Sequence, residues 1–380
     1  MRSKKLILLV IFLALLVVSQ IPFAYRRYKL GRLNTGLQQL NSQRATPEQQ
    51  SGFVDYKGVV HVHSFLGGHS SGTFSEIISA AQANQLQFVI MTEHKEKDFD
   101  TAAMTLSGIH GGVLFINGNE MNATNGDRLL VLPGEVSIAA YPEEFKSLDA
   151  PGLKGVEIYN VFTNAKQINP VLAFFDVLWS QRSYPELIFA LYLKRPDENL
   201  ARWDRALAHS RLTATAGNDA HANIGVSLKD SSGKTLLGIQ LDPYETSFRL
   251  VRLHLLIEQN KPLEAASLLD AVRAGHCFIG FDFLGDSSGF SFEAENDGEL
   301  KLQGDEISLK SDTHLRVQTP VPSRIVLFKN GAVFVDESGI TTKEVPITER
   351  GVYRVEIYLP QLGNMVAQKP WIISNPIYVR

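Results

Sequence analysis

The hydropathy pattern divides the chain into four stretches. An unbroken apolar run from Leu6 to Val18 follows Arg2, Lys4 and Lys5, and continues more weakly through Ile21, Pro22, Phe23 and Ala24. The run alone has the length of a signal-peptide core, and the whole stretch approaches the roughly 20 residues that span a bilayer. Val17-Val18-Ser19 offers a cleavage site, but Arg26, Arg27, Lys29 and Arg32 follow closely, and Tyr25 and Tyr28 suit a membrane interface. Residues 1–32 are therefore read as a retained single-pass anchor rather than a cleaved signal. Positive charge is similar on both sides, so the expectation that the following domain is exported rests on no charge bias. Residues 33–52 are polar and glutamine-rich (Gln38, Gln39, Gln43, Gln49, Gln50) and contain Pro47, the composition of a linker between membrane and domain.

From residue 57 short β-type runs alternate with longer helical ones. Strands are predicted at Gly58–His63, Gln87–Thr92, Val113–Gly118, Arg128–Leu132, Gly155–Tyr159 and Leu212–Ala216, with amphipathic stretches clearest at Phe74–Ala83 and Glu198–His209. Such alternation implies an α/β domain of parallel strands with helical crossovers. Ile168–Leu193, with several aromatics, reads as helical, and Leu263–Ala274 as a helix started by Pro262 and stopped by Gly275. Beyond about Phe290 helical periodicity ends, and short alternating runs separated by turns such as Asn330-Gly331 predict an all-β sandwich. The expected boundaries are 53–288 for the α/β domain and 289–380 for the sandwich.

A chain of 380 residues accommodates two such domains. The net charge of -3 disfavours a nucleic-acid-binding surface. A single cysteine, Cys277, in an apolar run, rules out an intramolecular disulfide or a Cys-rich zinc site and reads as a small buried hydrophobe.

Ten histidines are present, and five fall in short motifs at the ends of the apolar runs: His61-Val-His63, His69, Thr92-Glu93-His94 and Asp219-Ala-His221, with Glu120 between them. Imidazole and carboxylate are the ligands that zinc, iron and manganese favour. Alternate residues of a strand face one way, so His61 and His63 are expected to project together. Each motif follows a predicted strand, so one pocket at the carboxyl ends of several strands is expected, as in β/α barrels. Any one of these histidines alone would read as structural; the ordered set reads as a metal site. His110, His209, His254, His276 and His314 are read as structural.

These motifs resemble the polymerase-and-histidinol-phosphatase (PHP) superfamily over roughly residues 56–285: His-x-His, a third histidine eight residues after the first, Thr-acid-His, a lone Glu after a strand, and Asp-x-His. The ending Pro370-Trp371-Ile372-Ile373-Ser374-Asn375-Pro376-Ile377-Tyr378-Val379 is further similar to the CehA/McbA-like metallohydrolase group within it. The resemblance implies a distorted seven-stranded β/α barrel, with His61, His63, Glu120 and Asp219 holding one metal and His69, His94 and His221 another. The family's third metal position departs here: a histidine is replaced in Asp127-Arg128-Leu129, and Ala-His-Pro reads Ala140-Tyr141-Pro142. A guanidinium stays protonated and cannot ligate, so two divalent ions are expected, whether zinc, manganese or iron. Glu93 is expected to orient a ligand without ligating.

Two such ions would lower the pKa of a shared water enough to give hydroxide near neutral pH. Asp219 would ligate and shuttle a proton, Arg128 would bind a substrate phosphate or carboxylate, and Tyr141 would donate to the developing oxyanion. Asn160 matches a family feature near the pocket, or caps a turn; Glu157 reads as a polar group lining the barrel. Three functions are open: a phosphoesterase acting on a small-molecule ester, a carboxyl-ester, amide or carbamate hydrolase, and a non-catalytic metal- or ligand-binding module on the membrane.

Overall fold

The computed structural model describes residues 2–44, 52–222, 225–229, 235–240 and 242–380. The first helix, α1 (Arg2–Ser42), is long and apolar enough to cross a membrane or to serve as a signal sequence, with Leu6 to Val18 exposed. It does not end where the polar composition begins. Leu30, Leu33, Leu37 and Leu40 form one stripe at three- and four-residue spacing, buried in the same core as Leu187, Ile188 and Leu362. Residues 33–42 are thus packed helix, a correction to the expected linker; residues 45–51 lie outside the described ones.

The α/β part begins with β1 (Phe53–Val62), helix α2 (Phe74–Ala83), β2 (Phe88–Met91), β3 (Glu93–His94), β4 (Val113–Ile116) and β5 (Asn119–Asn122). β1, β2 and β4 are parallel, as are β3 and β5. Both faces of this sheet are covered. Val60, Phe88, Ile90 and Leu114 enter one core, and Val59, Val89, Met91 and Phe115 enter a second with Ile77 of α2. That explains the continuous apolar runs. Thr73 caps α2 in a reciprocal capping box with Glu76.

The alternation of strand and helix then lapses. β6 (Arg128–Leu132) and β7 (Val136–Ala139) are antiparallel hairpin strands beside β5, not crossover units. Helical connections return after β8 (Leu153–Asn160): α3 (Val161–Lys166), α4 (Pro170–Ser180) and α5 (Asp197–Ala206) lead to β9 (Thr213–Gly217), parallel to β8. The stretch Ile168–Leu193 is not one helix; α4 is followed by a 3-10 turn at Leu187–Leu191. Helix α6 (Tyr244–Leu250), β10 (Arg252–Glu258), α7 (Ala265–Ala274) and β11 (Cys277–Gly280) complete this part. α7 starts two residues later than predicted because Glu264 and Ser267 form its cap.

Apart from a two-stranded ribbon of Gly225–Lys229 and Thr235–Gln240, these strands form two sheets, which meet twice. Only Thr92 separates β2 from β3, and Asn117 and Gly118 separate β4 from β5. On the other side β9 runs beside β1: Asn218 N donates to Val60 O at 2.9 Å, Ala220 N to His61 O at 3.1 Å and His63 N to Ala220 O at 3.0 Å.

The C-terminal strands are β12 (Ser291–Asn296), β13 (Glu299–Leu302), β14 (His314–Lys329), β15 (Ala332–Pro346), β16 (Gly351–Tyr358), β17 (Pro370–Ser374) and β18 (Ile377–Val379). They form a sheet module without a long helix, but not one detached from the first part. β17 pairs with β11, so one sheet runs from β13 through β12, β14, β16, β17, β11, β10, β1 and β2 to β4. Asn375 reinforces the join by donating to Cys277 O at 2.8 Å and accepting from Ala214 N at 2.7 Å. A buried ion-pair network does so on the other flank. Arg354 pairs with Asp204 of α5 at 2.7 Å, and Arg354 and Arg195 share Glu356 at 2.6 and 2.5 Å.

Candidate metal centre

Strand alternation alone is not what brings His61 and His63 together. The β1–β2 register shifts between Val60 and Val62, and His61 sits in that bulge with φ 66°. His63 lies just beyond the strand, held by its backbone to Ala220 and to the Tyr244 hydroxyl, which donates to His63 O at 2.5 Å. Asp219, one residue past Asn218, has φ 47°. Left-handed non-glycine residues at both of these ligand positions are sparsely populated conformations that the surrounding hydrogen bonds enforce.

Four atoms converge there. His61 Nε2 is 3.4 Å from Glu120 Oε2 and 3.6 Å from Asp219 Oδ1, and His63 Nε2 is 3.5 Å from each of the same oxygens. All four are buried, and none has a hydrogen-bond partner among the described residues. A buried polar atom left unmade costs about 1–3 kcal/mol, so four together call for a cation, and the donor set of two imidazoles and two carboxylates suits a divalent one. A second group of ring nitrogens, from His63, His94 and His221, lies within 4.8 Å of one another. His94 Nδ1 also stands 3.3 Å from Glu120 Oε2. His63 belongs to both groups, and both its ring nitrogens are buried with no hydrogen-bond partner among the described residues. His69, expected as the third member of the second group, is instead exposed at the mouth with its ring 4.6 Å from that of His94. Its loop runs past the end of β1 rather than along a strand.

Around these atoms lies a set of positioning contacts. His61 Nδ1 donates to Glu157 Oε1 at 2.7 Å, which leaves a lone pair on Nε2. Asn160 donates to Glu157 Oε2 at 2.9 Å and to Asp219 Oδ2 at 3.3 Å, while its own oxygen caps α3 at Thr163 N, 2.8 Å. It therefore serves both roles the sequence left open. Tyr141, at φ 53°, donates to Asp219 Oδ2 at 2.7 Å. Its one proton is engaged by that carboxylate rather than presented to an oxyanion. Arg128 Nη1 donates to Glu120 Oε1 at 2.9 Å. Glu93 touches no ligand; its carboxylate accepts from Ser64 N at 3.0 Å, Ser64 Oγ at 2.6 Å and Thr105 Oγ1 at 2.8 Å, fixing the turn after His63.

The electrostatics follow from burial and these pairings. Burial lowers the His63 imidazole to about 4, helped by the neighbouring His61 and His221. Burial and His63 do the same to His94, also to about 4. Both rings are thus neutral and able to ligate at pH 7. Burial opposes ionisation of Glu120, yet the adjacent His61, with His63 and His94, brings it down to about 2. Asp219 is held well below the usual range against the same burial, by His61 and His63. For His61, burial is outweighed by Glu157 and Asp219, which raise it well above an ordinary histidine. Glu157 in turn is raised by burial, against the opposing pull of His61 and Asn160.

The centre opens into a chamber of about 980 Å³ whose rim carries Lys95, Lys97, Arg128 and Lys166 against Glu96, Glu143 and Glu144. Glu157 carries a sequence signal beyond that of a lining group, a lone charge inside the apolar strand Val156-Glu157-Ile158; Lys166, on a helix surface, carries none.

No protein-family model matches the chain, and no curated protein sequence is similar to it. Among solved structures, the chain is similar to a two-domain protein from Bacteroides vulgatus ATCC 8482 containing a predicted PHP-like metal-dependent phosphoesterase, with 12% identity, 88% of this chain and 98% of that one covered, and a TM-score of 0.37.

Proposed function

We propose that the chain is a membrane-tethered, two-metal hydrolase of the PHP type that cleaves phosphate esters. The observation that carries this reading is the convergence of His61 Nε2, His63 Nε2, Glu120 Oε2 and Asp219 Oδ1, buried and unpartnered, within 3.4–3.6 Å across the imidazole–carboxylate pairs. His61, His63, Glu120 and Asp219 would hold one divalent ion, and His94 and His221, with His63 or His69, a second. Bound there, such ions supply a water acidic enough to attack at neutral pH and a positive field for the substrate oxygen. The chain's own groups do the rest. Glu157 fixes the His61 ring, and Tyr141 with Asn160 turns Asp219 so that Oδ1 faces the centre. Arg128, about one-third exposed beside Glu120, keeps N–H groups toward the chamber for an anionic oxygen. Reading the two joined sheets as one distorted barrel is supported by the backbone bonds between β9 and β1. The carboxyl-ester or carbamate alternative differs chiefly in having no need of Arg128.

The test is to reconstitute the full chain in detergent with zinc, manganese or iron in turn. Nitrophenyl phosphomonoesters, phosphodiesters and acetates are then assayed, with Asp219→Ala as control. Phosphate-ester turnover that disappears in the control is expected. Turnover of acetates alone would transfer the site to the carboxyl-ester reading, and two bound metals without turnover on any ester would leave the non-catalytic one.

A further inference from the structure

A second, apolar cavity of about 210 Å³ shares the wall of the metal centre. Asp219, His221 and Phe162 line both chambers, so the catalytic wall separates a polar space from an apolar one. The apolar side is bounded by Ala165, Ala173, Val177 and Ile188. Its cover is α4, and the three faces of that helix differ in kind. Ala173 and Val177 point into the cavity. Phe175, Asp176 and Trp179 grip α1: the Phe23 and Phe175 rings are 4.9 Å apart, Arg26 pairs with Asp176 at 2.7 Å, and Trp179 Nε1 donates to Gln20 at 3.0 Å. The outer face exposes Val171, Phe174 and Leu178, spaced three and four residues apart and each about half exposed or more (62%, 49% and 65%).

An exposed apolar stripe on a soluble surface calls for a covering phase, and the position of α4 names it. Its contacts on α1 fall between Gln20 and Arg27, where the exposed apolar span of α1 gives way to Arg26, Arg27 and Lys29. If α1 spans a bilayer, α4 lies at its surface, and the cavity lies one helix diameter, roughly 10 Å, behind that surface.

We propose that the substrate is a membrane amphiphile, the phosphate ester of a long alkyl chain, whose tail enters the cavity beneath α4 while its phosphate lies in the metal centre. This rests on the phosphoesterase reading above. The reaction balances as a hydrolysis: water oxygen bonds to phosphorus, the bond from phosphorus to the chain's oxygen breaks, and that oxygen takes a proton and leaves as a lipid alcohol. The polar chamber, with Arg128 and Lys166, accommodates the anionic product, and the apolar one keeps the alcohol's tail from water.

The experiment uses the full chain in phospholipid vesicles and compares kcat/KM for butyl and dodecyl phosphate, alongside photolabelling of the metal-free protein with a diazirine-tailed alkyl phosphate. The ratio should favour dodecyl phosphate by roughly tenfold or more, since each buried methylene favours binding. Label is expected on Ala165, Ala173 or Val177, and Ala173→Phe should collapse the ratio and remove the label; Val177→Phe serves the same end if the first variant does not fold. Equal kcat/KM for the two esters with label confined to α1 would overturn the tail site and leave the phosphoesterase standing. Label in the cavity with neither phosphate hydrolysed, despite bound metal, would keep the tail site and remove the phosphoesterase reading.

Discussion

Glu157 touches no open space, yet it sets which nitrogen of His61 faces the centre. Replacing it by Gln keeps the shape but removes the charge that stabilises the ring, and metal affinity should fall by about 10–100-fold. Titration of metal into wild type and Glu157→Gln checks this, and equal affinities would dismiss the positioning role. Gly217 belongs to the same small assembly: a Cβ there would stand 1.7 Å from Glu157 Oε1 and 3.0 Å from His61 Cβ. Gly217→Ala should therefore weaken metal binding as Glu157→Gln does, in a chain whose circular dichroism is unchanged. At this scale the histidines and acids of the centre were legible as motifs, because ligand chemistry restricts residue type. Their orientation was not. It depends on the bulge at His61 and the left-handed turn at Asp219, and neither residue type advertises a positive φ. The engagement of Tyr141 with Asp219, 78 positions along the chain, is equally invisible to spacing.

Elements were legible where one physical signal acted alone. α2 begins and ends where its cap and periodicity place it. The second half of α1 was concealed because four leucines were read against a glutamine-rich background rather than at helical spacing. Their burial makes a prediction: Leu33→Ala should cost about 3 kcal/mol, seen as a lowered denaturation midpoint in detergent, whereas a free tether would show no change. The hairpin of β6 and β7 was read as one more strand of a parallel series. Arg128 stands at its start and places a cation against Glu120. Arg128→Met should leave metal binding in place and weaken turnover of phosphate esters by about 10-fold or more; retained kcat/KM would argue for an uncharged ester.

Across the whole molecule, one sheet runs through both of the domains the sequence suggests. That continuity was not legible, since register between strands far apart in sequence leaves no local pattern. Behind it, away from the metal centre, His254 lies buried between Asp55 at 2.9 Å and Asp282 at 3.4 Å, with Ser287 Oγ 3.0 Å away. Burial would lower this imidazole, but the two carboxylates raise it to about 10. Arg252 also faces Asp282 at 3.4 Å, and Lys57 pairs with Asp286 at 2.9 Å. With a folded pKa above the unfolded value near 6.5, the histidine's contribution is complete below about pH 6.5 and is lost as pH rises toward 10. The urea midpoint should fall between pH 6.5 and 9.5, and His254→Gln should flatten that slope and lower the midpoint at pH 6.5. An unchanged slope in the variant would assign the alkaline loss to other groups.

The bonds of Asn375 to Ala214 and Cys277 have a consequence in time. Residues 370–379 leave the ribosome long after β9 and Asp219 have emerged, so the strand that leads to Asp219 gains its Asn375 contacts only once that segment has been made. Until then Ala214 N lacks the acceptor that Asn375 gives it. A nascent chain stalled before Pro370 should accordingly fail to retain metal, while one released after Val379 should take it up, so that assembly of the centre coincides with completion of the sheet.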